Sequence, residues 1–209
     1  MVLTIKDLLD RVAEDLQDKK SVRWTRLELL AHFNEAQRKF AEQRPDQMAG
    51  SIELELVAGW EQHLPASVLA LIDITHNVNR QSKRITKTSM WQLDVLAAGW
   101  RAMSPASDAA HFMWDSRYPK DFAVYPPVKQ GCKVHAIVSK ATTDASTEAS
   151  QPSVPPQWMD ALRNYVMFRA YSKDAEYGNN TELAAASLQL FNDALGVQVK
   201  AANNVAPTN

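Results

Sequence analysis

The sequence contains few of the residues and motifs from which catalytic sites are built. Its single cysteine, Cys132, excludes an internal disulfide and is typical of a chain made in a reducing cytosol. Only six glycines are present and none of them clusters, so there is no glycine-rich loop to hold a phosphate. A nucleophile motif of the G-x-S-x-G kind is also missing. We therefore expect neither catalytic activity nor a cofactor.

The histidines are scattered, and long apolar runs are absent. None of the five histidines stands at the short spacings typical of metal ligands, so we expect no metal site. No uncharged apolar stretch approaches the ~20 residues of a membrane-spanning helix, and the first residues lack the pattern of a signal peptide. The formal net charge of -1 provides no overall attraction to nucleic acid or to anionic lipid. We expect no membrane partner and no export through a signal peptide.

The composition is otherwise that of an ordinary globular protein, with 45% hydrophobic and 22% charged residues in a chain of 209. Two helices are predicted at the start. Thr4 is the N-cap of the first, and Thr25 forms a capping box with Glu28 at the start of the second, which Pro45 ends. Because the linker between them is short, residues 1–50 are expected to form a helical hairpin.

Residues 51–140 show the alternation of apolar and polar side chains that is typical of half-buried strands. Ile52, Leu54 and Leu56 alternate with polar residues in the first strand. Further strands are predicted at residues 61–64, 111–114, 122–125 (ended by Pro126 and Pro127) and 133–140. Between them the sequence predicts a short helix running into a strand at 69–78, a basic loop at 79–87, a short helix from Ser89 to Gly99, and an irregular loop at 102–110.

Residues 141–155 are rich in serine and threonine and poor in apolar residues, which predicts an exposed linker. A long helix over residues 157–180 follows. It has apolar seams on two sides, so it needs neighbours on both and is the expected centre of a helical layer. Gly178 ends this helix and Thr181 caps a last one, which makes residues 156–202 a second helical hairpin.

These elements predict the α+β class. Two terminal helical hairpins, residues 1–50 and 156–202, pack together as a helical bundle, and a small antiparallel β-sheet domain is inserted between them. The segment 203–209 is polar and uncharged, so we expect a flexible C-terminal tail.

A basic segment is the first candidate for binding. It contains Arg80, Lys83, Arg84 and Lys87, and no acidic residue occurs between positions 79 and 93. Such a cluster is a candidate for contact with DNA phosphates, which makes a nucleic-acid-binding module the alternative function. Short charge runs are more commonly solvated surface loops, and that simpler interpretation stays open.

Aromatic residues form a second candidate. Two interpretations are open: a platform on which bases or sugars stack, or a sheet core or subunit contact, which is the commoner reason for aromatic alternation in short strands. The residues are Trp91, Trp100, Phe112, Trp114, Tyr118, Phe122 and Tyr125.

Five stretches of the chain carry a family resemblance. They are LTIKDLLDRVAEDLQD near the start, ELELVAGWEQHLP, DFAVYPP, RNYVMFRAYSKDAEYGNN and, after it, LQLFNDALGV. In this order and spacing they resemble the head-to-tail adaptor (connector) proteins of short-tailed bacteriophages, the group that includes tail tubular protein A. The likeness spans most of the chain and is weak at residues 80–110 and 141–155.

The resemblance implies a structural virion protein and not an enzyme. In the family, twelve copies form a ring between the portal protein and the tail nozzle protein. The ring lengthens the DNA channel and offers a platform for tail components, which in some phages include tail fibres. It implies that DNA passes through without sequence-specific binding, and that the chain is made in the bacterial host cytoplasm and ends in the phage neck.

The resemblance also suggests where contacts lie. A helix with two apolar seams suits a ring in which each subunit packs on two others. The candidates for contact between subunits are Met167, Arg169, Tyr171 and Ala175. Arg169 projects into an apolar arc, which fits either a paired guanidinium within the chain or an ion pair across subunits. The segment expected to contact the portal comprises Ala201, Ala202, Asn203, Asn204, Val205, Ala206, Pro207, Thr208 and Asn209.

Overall fold

The computed structural model describes residues 4–174, 176 and 178–205, and it confirms the α+β class. The chain divides into a helical unit, Met1–Gln47 with Thr142–Asn209, and a sheet unit, Met48–Ala141. The helices are α1 (Ile5–Asp15), α2 (Arg26–Gln43), α3 (Met90–Leu96), α4 (Met159–Lys173) and α5 (Asn180–Val205). The strands are β1 (Ala49–Glu55), β2 (Gly59–His63), β3 (Val68–Asn77), β4 (Arg80–Arg84), β5 (Thr86–Lys87), β6 (His111–Trp114), β7 (Asp121–Val128) and β8 (Lys133–Lys140).

The first two helices begin where their caps predict. At α1 the Thr4 hydroxyl accepts from the Asp7 N–H at 3.1 Å, and the Asp7 carboxylate accepts from the Thr4 N–H at 3.0 Å. At α2 only half of the predicted capping box forms. The Thr25 hydroxyl accepts from the Glu28 N–H at 3.3 Å, whereas the Glu28 carboxylate pairs with Lys173 of α4 at 2.8 Å. A tertiary ion pair has replaced the local hydrogen bond.

Helix α4 is the centre of the helical unit, since it packs against α1, α2 and α5. Most of its apolar side chains among the described residues are therefore covered within one chain. The residues that it buries are Met159, Ala161, Leu162, Tyr165, Val166, Met167 and Ala170.

Tyr165 joins three of these helices. Its ring lies edge-on to Phe191 of α5, with the two ring centroids 5.1 Å apart, and its hydroxyl donates to Glu35 of α2 at 3.0 Å. Burial, followed by the hydrogen bond to the Glu35 carboxylate, raises the pKa of Tyr165 to about 12. The phenol is therefore a neutral donor over the physiological pH range.

The predicted boundaries of the last two helices are corrected. Helix α4 ends at Lys173 and not near residue 180. Its C-cap, Asp174, forms an ion pair with Arg23, a tertiary contact that helical periodicity does not reveal. Helix α5 begins at Asn180, so Thr181 lies in its first turn and is not its N-cap.

The predicted linker is held against α2. We call residues 142–155 the strap. The buried side chain of Asn34 clamps it, because its Nδ2 donates to the Ala145 carbonyl at 3.0 Å and its Oδ1 accepts from the Ala145 N–H at 2.8 Å. Gln37 accepts from the Ser153 N–H at 2.7 Å. Buried backbone N–H and C=O groups need hydrogen-bond partners, and the side-chain amides of Asn34 and Gln37 supply them.

Loss of this clamp is expected to destabilise the helical unit. Asn34→Ala leaves both buried backbone groups of Ala145 without their partner, which costs about 1–3 kcal/mol in the free energy of unfolding. The exposed Gln43→Ala at the end of the same helix is the control and is expected to cost no more than about 0.5 kcal/mol. Urea denaturation of the two variants measures the difference, and equal midpoints would contradict the clamp.

The sheet unit contains two four-stranded sheets where the sequence predicts one small sheet. The first has the order β1-β8-β3-β4 and is antiparallel throughout, and the second has the order β2-β7-β6-β5 with only β5 parallel to β6. One apolar core unites residues of both sheets. Its members include Leu54, Leu56, Leu71, Ile74, Phe112, Phe122, Val124, Val134, Ala136 and Val138.

Three further predictions for this unit are wrong. Residues 69–78 are not partly helical, because β3 pairs with β8 along its length and buries Leu71 and Ile74 in the shared core. The predicted basic loop forms β4 and β5, which lie at sheet edges where a polar strand is tolerated. Strand β7 continues through Pro126 and Pro127, which lie where its pairing with β2 is interrupted by a register shift, so neither proline has to donate a hydrogen bond to β2.

The segment around α3 lies on the other face of the second sheet. Leu93 of α3 and Trp100 are buried against Met113 of β6 and Ala123 of β7, in a small core separate from the shared one. A complete capping box at Ser89 starts α3, as the sequence predicts. Helix α3 is therefore fixed on the sheet by one inward residue and by the indole that follows it.

Two buried amides hold loops in this unit. Gln62 accepts from the Val57 N–H at 2.9 Å and donates to the Val57 carbonyl at 2.8 Å. Asn77 binds Ala109 in the same way: it accepts from the Ala109 N–H at 3.0 Å and donates to the Ala109 carbonyl at 2.8 Å. These side chains fix the approach to β2 and the loop before β6.

Candidate functional site

The sheet unit contains a cleft. It has a volume of about 950 Å³ and lies beside the start of α3, over β2, β6 and the loop between β6 and β7. Apolar and aromatic side chains form much of its wall, as in most sites that bind a ligand or a partner side chain. They are Val57, Trp60, Met90, Met113, Trp114, Tyr118 and Phe122.

The cleft is lined by four carboxylates, Glu55, Glu61, Asp115 and Asp121, and by two cations, Lys87 and Arg117. The Arg117 guanidinium bonds the Asp115 carboxylate at 2.6 Å and lowers the pKa of Asp115 to about 2. The Nδ1 atom of His63 contacts the Asp121 carboxylate, and the Lys87 ammonium lies 5.1 Å from the centre of the Trp114 ring. The lining therefore has more carboxylates than cations, which disfavours an anionic ligand such as a phosphate.

An exposed apolar ridge stands next to the cleft on α3. Trp91 and Val95, one helical turn apart, are 74% and 63% exposed. At 100° per residue they point away from Leu93, the residue that α3 buries. Helix α3 also exposes Met90 (40%) and Leu96 (81%). Isolated exposed apolar residues are normal, but four large ones on one short helix mark a contact surface. Trp91 is one of the aromatic candidates from the sequence, and Val95 is not. A helical wheel of the segment that Ser89 caps would have placed both on one face.

Five of the seven aromatic residues fall into two groups, and the other two, Trp114 and Tyr125, are partly buried. Trp100, Phe112 and Phe122 are buried, as expected for a sheet core. Trp91 and Tyr118 are mostly exposed, and Tyr118 lines the cleft. The structure thus places aromatic side chains both in the core and on a surface suited to contact.

The basic segment is spread over two edge strands, and half of its charge is neutralised. Arg80 lies 3.4 Å from the Asp108 carboxylate, and Arg84 lies 3.0 Å from that of Asp73. Among the described contacts, Lys83 has no carboxylate partner. Four cations in sequence therefore do not make a strongly positive surface here, and a charged edge strand also protects a sheet from edge-to-edge pairing.

The proposed contacts between subunits on α4 are mostly used within the chain. Met167 is only 7% exposed and has little surface left for a neighbour. Arg169 lies with its Nε 3.2 Å from the Glu35 carboxylate of the same chain. Tyr171 is partly exposed, and Ala175 lies outside the described residues. Of the second seam, Met167 is therefore covered by its own chain, whereas Tyr171 keeps part of its surface open to a neighbour.

The C-terminal helix is anchored by a buried arginine. Arg44 donates to the Leu195 carbonyl at 3.2 Å, pairs with Asp46 at 2.7 Å and lies 5.1 Å from the centre of the Trp158 ring. The Arg44 guanidinium is the main cause that lowers the pKa of Asp46 to about 2. Leu195 itself is buried, so α5 is held on the bundle at least to this residue.

Helix α5 continues to Val205, which corrects the predicted flexible tail in part. Asn203 and Asn204 are helical, together with the earlier candidate portal residues Ala201 and Ala202. Residues 206–209 of the predicted tail and of the proposed portal segment lie outside the described residues.

The described residues show no metal-binding cluster. In residues 4–174, 176 and 178–205, no group of three or more His, Cys, Asp or Glu side chains is placed to hold a metal ion. His76 and His135 stack with ring centroids 5.1 Å apart, and Thr75 bonds both. Cys132 is buried, and burial raises the pKa of its thiol, which makes it less reactive.

A membrane-spanning helix is also not found. Among the helices of the described part of the chain, none has the length and apolar character needed to cross a membrane.

Comparison with known proteins gives the family. No curated protein matches the chain. The family described as SU10 adaptor protein matches residues 3–208, nearly the whole sequence, which confirms the resemblance to the head-to-tail adaptors of short-tailed phages. A phage adaptor is a structural component of the virion neck, not a class of enzyme, and the absence of a metal cluster from the described residues raises no conflict with that role. The chain therefore belongs to the SU10 adaptor protein family and is a bacteriophage head-tail connector.

Proposed function

We propose that this adaptor forms a closed ring of twelve copies between the portal and the tail nozzle, and that the end of α5 docks on the portal. The copy number follows the family resemblance. The observation that carries the portal contact is the length of α5, which has 26 residues against 15 in α4. At 1.5 Å per residue α5 is about 39 Å long and α4 about 22 Å.

The two lengths matter because α4 is the helix on which α5 packs. Arg44 and the buried Leu195 secure the first part of α5, and residues 196–205 continue the helix beyond these anchors. A helix end that extends from a firmly packed base is suited to insert between or beneath helices of a partner. The last residues, 201–209, include no charged side chain, so docking them on a partner buries no side-chain charge, and their amides and hydroxyl would need hydrogen-bond partners there.

In this arrangement DNA passes through the ring without sequence-specific contacts. A net charge of -1 and the paired state of Arg80 and Arg84 favour a channel that does not retain DNA. The nozzle protein and, in some phages, tail fibres attach to the ring on the side away from the portal.

Electron microscopy of the purified protein mixed with the portal protein of the same phage tests this function directly. The expected result is a twelvefold ring stacked coaxially on the portal, with α5 pointing toward it. A protein that stays monomeric with the portal, or a ring that ignores it, would contradict the proposal.

The basic strands supply a separate test of the nucleic-acid alternative. With Arg80, Lys83, Arg84 and Lys87 all replaced by serine, we expect an unchanged ring and the loss of any salt-dependent DNA affinity of the parent. The control replaces four exposed cations of the helical unit by serine, which changes the net charge equally. They are Lys19, Lys20, Arg38 and Lys39.

DNA retention on a filter at several salt concentrations measures the effect. Equal binding by the parent and the basic-strand variant would show that these four residues do not face DNA. Strong DNA binding by the parent without any ring on the portal would favour the nucleic-acid-binding module.

A further inference from the structure

We propose that the cleft of the sheet unit binds an arginine side chain of another virion protein, and that the ridge on α3 packs against the apolar residues that flank this arginine. Met90 joins the two parts into one surface, since it lines the cleft and is also an exposed residue of α3. The inference rests on the proposed function in one respect, namely that an adaptor has to hold further tail components.

The charge of the cleft selects a cation. Four carboxylates against two cations leave its lining with a formal charge of -2 when His63 is neutral. Among the described residues, Glu61 has no ion-pair partner, and Glu55 has only the Lys133 ammonium at a long 3.9 Å. Both glutamates are exposed. They are therefore available to an incoming positive group, and the same excess of carboxylates repels DNA phosphates and the head groups of anionic lipids.

The aromatic wall of the cleft favours arginine over lysine. Two of its rings already lie against cations of the same chain. The Lys87 ammonium is 5.1 Å from the centre of the Trp114 ring. The Arg101 guanidinium is 5.2 Å from the centre of the Trp60 ring. Tyr118 is 63% exposed and, among the described contacts, has no ring partner.

The shape of the guanidinium explains this preference. It is planar and weakly hydrated, so it stacks on an aromatic ring while its N–H groups bond a carboxylate. An ammonium is a compact and strongly hydrated charge, which makes the same transfer less favourable. The volume of about 950 Å³ leaves room for a whole arginine side chain.

The ridge supplies the apolar part of the contact, and it is presented rigidly. Leu93 is buried and fixes α3 on the sheet. Asp94 accepts hydrogen bonds from the Trp100 indole at 2.8 Å and from Arg101 at 2.5 Å, which ties the helix to the turn that follows. A preorganised apolar side chain loses little conformational entropy on docking. Because exposed ion pairs contribute little, we expect the ridge to provide most of the affinity and the cleft most of the selectivity.

Titration of the adaptor with two capped tripeptides tests this surface. One peptide has arginine between two leucines. The other has citrulline in place of arginine, which keeps the shape and removes the charge. The NMR signals of the tryptophan indole N–H groups report where the peptide binds, and single Trp→Phe variants assign them.

With the arginine peptide, the indole signals of Trp60, Trp91 and Trp114 are expected to move, while those of Trp24 and Trp158 in the helical unit stay in place. The citrulline peptide is expected to bind about fivefold more weakly, because it forms no charge-assisted bond with a carboxylate.

Charge variants separate the cleft from a general attraction to cations. For the arginine peptide, Glu61→Gln is expected to weaken binding about fivefold and Lys87→Gln to strengthen it about twofold, because the first removes an attracting charge and the second a repelling one. Binding of the citrulline peptide is expected to change little in either variant. Glu53→Gln is the matched control, since Glu53 is an exposed carboxylate of β1 outside the lining, and it is expected to bind as the parent does.

Trp91→Ser tests the ridge. Trp91 is 74% exposed, so its loss disturbs no core. The affinity for both peptides is expected to fall by the same factor, about fivefold or more, since an apolar contact does not depend on the charge of the central residue. Unchanged affinity for both peptides would remove the ridge from the binding surface.

Equal affinity for the two peptides, or an arginine peptide that moves none of the three indole signals, overturns the binding of arginine. Unchanged binding in both charge variants does the same. The peptides are titrated into the adaptor alone, so these results do not depend on assembly. An adaptor that forms no ring on the portal overturns the proposed function without changing the indole signals, and a failed titration leaves a ring on the portal unaffected.

Discussion

Removal of residues 201–209 is expected to abolish binding of the adaptor to its portal and to leave the stability of the helical unit unchanged. The last buried side chain described in α5 is Leu195, and the hydrogen bond from Arg44 also ends there. The truncation therefore takes away the proposed docking segment without touching the anchors of the helix. Fraying at the new end costs little, because terminal turns contribute few tertiary contacts.

Co-sedimentation with purified portal protein measures the binding, and thermal unfolding measures the stability. A full-length chain with residues 201–209 in shuffled order is the matched control for length and composition. Loss of binding in both variants indicates that the sequence of the segment is recognised. Portal binding by the truncated chain at the parent affinity would rule out this segment as the contact.

Phe191→Ala is expected to lower the free energy of unfolding by about 3–5 kcal/mol, the usual cost of removing a buried aromatic ring. Phe191 is 1% exposed and packs edge-on against Tyr165, which in turn bonds Glu35 of α2. The substitution thus leaves a cavity where α5 meets the rest of the bundle. Because the end of α5 is held in place by this packing, portal binding is expected to weaken as well.

The neighbouring Leu190→Ala is a close control, since Leu190 belongs to the same helix but is 56% exposed. Its expected cost is within about 0.5 kcal/mol. Chemical denaturation followed by circular dichroism compares the two variants. Equal unfolding midpoints would mean that α5 is not held by this contact.

The parts of the fold that local chemistry specifies were predictable. A hydroxyl at the N-cap with an acceptor three residues later marks the start of α1 and of α3, and both caps are observed. The alternation of Ile52 and Leu54 marks β1, and the strand at residues 133–140 was placed at its observed limits. These signals act over a few residues, so no partner is needed to interpret them.

Where a residue has a choice of partners, the sequence was a weaker guide. Glu28 has the position of a capping residue but pairs with Lys173, and Asn34 of α2 satisfies the backbone of a segment that composition alone assigns to an exposed linker. Strand β4 has no apolar alternation because it lies at an edge, where pairing on one side is sufficient. Each of these outcomes depends on residues far away in the chain.

The candidate contact surfaces also depend on residues far away in the chain. Two apolar seams on α4 correctly indicate that the helix needs neighbours on both sides, but a pattern does not say whether those neighbours belong to the same chain. In the structure α1, α2 and α5 of the same chain pack against α4 and bury Met167, whereas Tyr171 of the second seam stays partly exposed. Conversely, Trp91 is a large apolar residue of the kind that cores contain. It is exposed because α3 packs on the sheet through Leu93, which lies on the opposite side of the helix.

By itself, the sequence determined the α+β class, the starts of the capped helices, most strands and the membership of an adaptor family, because these depend on local hydrogen bonding, on side-chain periodicity and on stretches of recognisable order. Only the tertiary structure decided which faces remain open for partners. That outcome depends on which apolar surfaces the chain covers with its own helices and sheets, and covering them is a property of the whole packing and not of any one segment.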